Sequence, residues 1–221
     1  MAIKPGKTKT PVQKPGATPD YWSRATRALA RKDPVMADLI NAYPGATLFS
    51  RGDPFQTLFR SIVGQQISVK AADSVWARVC AATEAITPAA VYEKEIDALR
   101  ACGLSQRKAE YARDLAAHFV HGRIHARDWP EMPDEAVIAE LTAVRGIGRW
   151  TAEMFLIFNL MRPDVFPVDD IGLQKAVWQH YFSGEKQPLS VLRAQGEHWG
   201  PWRTVATWYL WRSLDPVIVS Y

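Results

Sequence analysis

Two short stretches of the chain combine residue types that could act on a phosphate-bearing polymer. Gly146-Ile147-Gly148-Arg149-Trp150 reads as a glycine hairpin running into a helix start. Backbone N–H groups and the positive end of a helix dipole suit an anion there. Phe166-Pro167-Val168-Asp169-Asp170 follows and ends in a pair of carboxylates, at a separation that lets the acids stand near a strand held by the hairpin. An isolated Asp-Asp before a helix is most simply an N-cap, so the meaning of the pair depends on its surroundings.

Other chemistries find less support. Cys80 and Cys102 are too few for a Cys-ligated cluster or a four-cysteine zinc site, and they fit a reducing, intracellular setting. His118, His121, His125, His180 and His198 show no zinc-binding spacing and read as surface or helix-end residues. Lys plus Arg number 27 against 23 Asp plus Glu, and the net charge of +4 favours a polyanionic partner without naming one. No apolar run is long enough to span a membrane. Residues 1–19 carry Lys4, Lys7, Lys9 and Lys14 among prolines and glycines, which reads as a flexible basic tail without the apolar stretch of a secretion signal.

The elements that must position these residues are helical. From Asp20 onward apolar residues recur at three and four, breakers appear at short intervals, and the pattern predicts roughly eleven helices and no strand. Asp53-Pro54 and Thr87-Pro88 are helix openings, each a capping side chain before a proline. The first leads into Phe55, Leu58, Phe59, Ile62 and Val63. Gly103 and Ser105 separate a helix ending near Ala101 from one carrying Lys108, Tyr111, Ala112 and Leu115. Pro201 is expected to open a last helix holding Trp202, Val205, Trp208, Tyr209 and Trp211. A faint echo relates the turn at 102–105 to the hairpin at 145–148, but the first copy lacks the second glycine and carries no chemistry.

Leu141, Val144, Gly146, Ile147, Gly148, Thr151 and Ala152 together resemble the helix-hairpin-helix of DNA repair proteins. That resemblance implies that Gly146, Gly148 and Thr151 meet the DNA backbone. It also implies a monovalent cation, Na+ or K+, on the main-chain carbonyls of Thr142, Val144 and Ile147. With the acid pair included, residues from about Asp53 to Leu214 resemble the helix-hairpin-helix DNA glycosylase superfamily, and within it the 3-methyladenine DNA glycosylase II branch. Asp170, rather than Asp169, then falls at the catalytic aspartate, with Leu173 and Val177 on the buried side of the next helix and Asp169 left to a capping or structural role.

Trp150 stands where strand-cutting members carry a lysine that forms a Schiff base; an indole has no amine. The resemblance implies a base pocket of Trp150, Met154 and Trp211, with Met154 where a relative has tyrosine, and leaves Trp202 and Trp208 to the core. Gly64-Gln65-Gln66-Ile67-Ser68 resembles the loop that fills the gap left by an extruded nucleotide, the wedge falling at Gln66 with Gln65 beside it.

The expected fold is all-α, two helical subdomains with a central cleft. Residues 54–162 form the one with the hairpin, and 20–53 plus 163–221 form the other. The expected activity is that of a monofunctional glycosylase without a catalytic cofactor, hydrolysing the N-glycosidic bond of alkylated bases of the 3-methyladenine and 7-methylguanine type in double-stranded DNA. A monomer is expected, cytoplasmic in a bacterium or nuclear in a eukaryote. The alternatives are a glycosylase for deaminated or oxidised bases and a non-catalytic module that recognises damaged DNA. A carboxylate aimed at a phosphate-rich ligand separates the enzyme from the binding module, since like charges repel.

Overall fold

The computed structural model describes residues 16–214, which form twelve α-helices and a single 3-10 turn and contain no strand. In chain order these are α1 (Trp22–Lys32), α2 (Pro34–Ala42), α3 (Pro54–Gly64), α4 (Val69–Ala82), α5 (Pro88–Tyr92), α6 (Ile96–Ala101) and α7 (Gln106–Val120). After the 3-10 turn Trp129–Glu131 come α8 (Asp134–Thr142), α9 (Arg149–Phe158), α10 (Ile171–Tyr181), α11 (Leu189–Glu197) and α12 (Arg203–Leu214). None of the described helices is long and apolar enough to cross a membrane. Residues 1–15 of the expected tail lie outside the described residues. The chain is already held at Gly16, whose N–H donates to the Ser50 carbonyl at 2.9 Å, while Ser50 donates back to Ala17 at 2.8 Å.

Short polar side chains start several of the helices, among them the two whose opening pairs the sequence marks at Asp53 and Thr87. Asp53 accepts the Gln56 N–H at 2.8 Å, Thr87 that of Ala90 at 3.2 Å and Ser105 that of Lys108 at 3.3 Å. Each satisfies one of the N–H groups that a helix start leaves without a partner. Asp33 does more. One oxygen caps α2 at Met36, and the other receives the Tyr181 hydroxyl at 2.7 Å and the Trp199 indole N–H at 3.0 Å.

The core runs through the whole described chain. Residues 152–158 of α9 are buried on every side, as are residues 204–210 of α12, so these two helices pass through the interior and carry little of the polar face that a surface helix shows. The predicted apolar row of α3 is buried, as are Leu173 and Val177. Helix α9 packs on α3 and α8, and α12 on α1, α2 and α10. Trp22 of α1 meets Trp208 edge-on at 5.4 Å. Trp202, expected in the core, is partly buried at its border, stacked on Tyr21 at 5.8 Å.

Pro201 does not open the last helix. It follows a cis peptide bond with Gly200, and α12 begins two residues later at Arg203. The start is set from a distance: Asp164 accepts the Arg203 N–H at 3.2 Å and grips its guanidinium at 2.8 Å.

Candidate active site

The glycine hairpin joins α8 to α9 and is braced from outside itself. The Ile147 N–H closes onto Val144 O at 3.1 Å, with both side chains turned into the core. From α7, Asp114 accepts the Arg145 N–H at 2.8 Å. Gly146 adopts φ +84°, and a Cβ there would overlap the ring of Tyr111. Gly148 differs in both respects: its φ is an ordinary −92° and a Cβ would meet open space. The surface that a phosphate could approach is therefore at Gly148 and the first turn of α9, and the glycine at 146 serves the packing of the hairpin on Tyr111. Arg149, the first cation after the hairpin, is occupied by Glu135 at 3.0 Å and Glu153 at 3.1 Å.

The loop between α3 and α4, where the wedge is expected, separates the two glutamines. Gln66 is exposed at the tip with φ +57°, a left-handed conformation unusual for a side chain other than glycine. Gln65 turns away, and its amide donates to the Gly146 carbonyl at 2.8 Å. Gln65, expected beside the wedge, thus tethers the loop to the hairpin. Lys108 of α7 ties down the end of α3 before this loop by donating to Val63 O at 2.8 Å, and burial lowers the pKa of its ammonium.

Asp170 is the N-cap of α10 and also the meeting point of the two tryptophans. Its Oδ1 accepts the Leu173 N–H at 2.6 Å and the Trp211 indole N–H at 2.9 Å, and its Oδ2 accepts the Trp150 indole N–H at 2.9 Å. Three donors converge on a group that can accept at both oxygens. Gly172 makes room for this, since a Cβ there would lie 3.1 Å from Asp170 Oδ1 and 3.6 Å from the Trp211 ring. Asp169 is exposed and does not cap the helix; its neighbour does.

Trp150 is 39% exposed at the surface end of the cluster. Met154 is buried in the body of α9, and Phe158, one turn further on, stacks on Trp211 at 6.0 Å with the rings 15° apart. The sequence carried a signal for Phe158: positions 150, 154 and 158 share one helix face. Arg51, whose guanidinium lies over the Phe158 ring at 5.4 Å, gave no such signal. The arrangement is an acid held by indole edges, with aromatic faces beside it. Such a group can stabilise positive charge at a bound centre, and such faces can receive a flat, electron-poor ring. Among the described residues no cluster of His, Cys, Asp and Glu could hold a metal.

Comparison with known proteins shows the family to which the chain belongs. Residues 59–201 match the HhH-GPD superfamily base excision DNA repair protein family. The chain is 32% identical over 183 residues to DNA-3-methyladenine glycosylase 1 of Schizosaccharomyces pombe, covering 80% of each protein. Its fold is similar to the crystal structure of a DNA-3-methyladenine glycosidase from Bacillus halodurans, with a TM-score of 0.81, 36% identity and coverage of 89% and 91% of the two chains. It is also similar to the S. pombe 3-methyladenine DNA glycosylase in complex with abasic DNA, with a TM-score of 0.71, 29% identity and coverage of 86% and 96%. The match spans both the hairpin and the indole-bound acid, and the chain belongs to the HhH-GPD superfamily of base excision DNA repair proteins.

Proposed function

We propose that the protein is a monofunctional DNA glycosylase that acts as a monomer on alkylated bases in duplex DNA. The observation that carries this reading is Asp170, bound by the edges of both Trp150 and Trp211. The glycosidic bond is out of reach inside the base stack, so the nucleotide is extruded, with Gln66 filling the gap. A base alkylated at a ring nitrogen is cationic and already a good leaving group. The indole faces attract it, and no general acid is needed. The charge of Asp170 favours the oxocarbenium-like sugar and orients the attacking water. The names of the related glycosylases support the same substrate class.

The hairpin is proposed to hold the DNA backbone at Gly148 and Thr151. A monovalent cation on the carbonyls of Thr142, Val144 and Ile147 would strengthen that contact. The closed turn fits such an ion, because Ile147 uses only one lone pair of the Val144 oxygen. The cation would supply positive charge next to the phosphate.

Two measurements test the reading. Duplexes carrying single defined lesions should release the free base and leave a strand that stays intact until alkali or an abasic endonuclease is added, because Trp150 offers no amine. Failure to release any alkylated base would refute the activity, and a borohydride-trapped protein–DNA adduct would refute the monofunctional assignment. Separately, Gly148→Leu should fold normally, since its space is open. It should bind damaged and undamaged duplex alike about tenfold more weakly, one charge-assisted hydrogen bond being worth roughly 1.5 kcal/mol. A loss confined to damaged DNA in a titration would show that the position reads the lesion.

A further inference from the structure

The guanidinium of Arg51 lies at the other end of the aromatic run from Asp170. The segment before α3 is fastened to the end of α9: the Arg51 N–H donates to Phe158 O at 3.1 Å, and the Asn159 amide donates to Gly52 O at 3.0 Å. From this anchored backbone the Arg51 guanidinium lies over Phe158, which stacks on Trp211, whose indole N–H is on Asp170. Acid, indole, phenyl ring and guanidinium thus follow one another in space.

Arg51 is partly buried, and among the described residues no carboxylate, carbonyl or hydroxyl accepts from its guanidinium. Its charged neighbour is Arg60, of like sign; burial and that repulsion bring its pKa down to about 10, so it stays cationic at neutral pH. A guanidinium has five donors and no acceptor. Withdrawing it from water without a partner is unfavourable, and an arriving ligand that carries an acceptor relieves that penalty.

We propose that Arg51 is a specificity-determining residue that donates to the carbonyl at position 6 of an extruded purine, so that the pocket favours 6-oxopurine lesions over 6-aminopurine lesions. This rests on the glycosylase reading above. If Asp170 meets the sugar, the base extends from it along Trp211 and Phe158. The edge remote from the glycosidic nitrogen, which carries the 6-substituent, then faces Arg51. A guanine-type edge presents the O6 acceptor; an adenine-type edge presents an N6 donor, which a donor-only guanidinium repels. The aromatic faces cannot make this distinction, because both bases are cationic once methylated at a ring nitrogen. A flanking phosphate is the rival source of an acceptor, but that contact would be blind to the base.

The test uses duplex DNA treated with a methylating agent, which provides 7-methylguanine and 3-methyladenine together, with the released bases quantified under single-turnover conditions. In Arg51→Met the ratio of 7-methylguanine to 3-methyladenine release rates should fall about tenfold or more, as expected for loss of a charge-assisted hydrogen bond. Arg51→Gln, which keeps a polar head, should lower the ratio in the same direction. Arg51→Lys, which retains a cationic donor, should hold it within about threefold of the wild type. An unchanged ratio in Met and Gln, with both rates falling together, would overturn the proposal in favour of a phosphate or packing role. A loss in Lys as large as in Met would overturn it as well. Release of neither base by the wild-type protein would instead defeat the glycosylase reading itself, so the two failures are distinct.

Discussion

Asp170→Asn should leave the fold in place and reduce single-turnover excision by about two to three orders of magnitude, the range seen when one preorganised electrostatic partner of a transition state is removed. An asparagine oxygen can still cap α10 at Leu173. Its NH2 group, however, must face one of the two indole N–H groups that now donate to the carboxylate. Donor then meets donor, and the expected loss of stability is about 1–2 kcal/mol, readable in a urea melt. DNA affinity should hold or rise, because a carboxylate near phosphates opposes ground-state binding. Asp169→Asn should change excision by less than about twofold, since that side chain is exposed and off the helix cap and its removal is an ordinary surface change. Full activity in Asp170→Asn, or a larger loss in Asp169→Asn, would overturn the assignment of the acid.

Gly146→Ala should be the most damaging single-methyl change in the hairpin. The residue holds φ +84°, and its new Cβ would run into the Tyr111 ring. Left-handed strain and overpacking each contribute about 1–3 kcal/mol, so the expected loss is about 2–6 kcal/mol in a denaturant titration. Tyr111→Ala placed behind it should recover the steric part and leave the backbone strain. A Gly146→Ala protein as stable as wild type would mean that the turn has another conformation. Because Gln65 donates to the Gly146 carbonyl, the same change should also disturb the wedge loop. Excision at a defined lesion should therefore fall further than DNA affinity does.

The helical class and the glycine turn were legible from residue types and spacing, whereas the grouping of Asp170 with Trp150 and Trp211 followed only from the resemblance to the glycosylase superfamily. Local rules served wherever the determining atoms are near in sequence. Asp53, Thr87 and Ser105 cap the helices that their own positions suggest. What the sequence concealed depends on remote partners. Arg203 rather than Pro201 starts α12 because Asp164 supplies the missing acceptor across 39 positions. Gln65 looks like its neighbour Gln66 until Gly146, 81 positions away, takes its amide. Capping and chemistry are competing readings of Asp170 in one dimension. In three they coexist, because a carboxylate has two oxygens and the indoles approach alongside the cap. Met154 and Phe158 lie on one face of α9 and are both buried; what the sequence does not print is that α12, remote along the chain, brings the Trp211 ring onto Phe158.

The order in which a ribosome releases the chain gives the packing of α1 and α2 on α12 a further meaning. These two helices emerge well before the partners that cover them, Trp208 on Trp22 and Tyr181 and Trp199 on Asp33. At ordinary synthesis speeds the interval is roughly 10–30 seconds. Throughout it Trp22, Leu29, Met36 and Leu39, all buried in the finished protein, lack their C-terminal cover. The segment from α3 to α9 can collapse around its own apolar row meanwhile. Burial of α1 and α2 therefore waits on α12, and a ribosome stalled before Trp199 would hold a chain in which these two helices are still open to aggregation or to a chaperone.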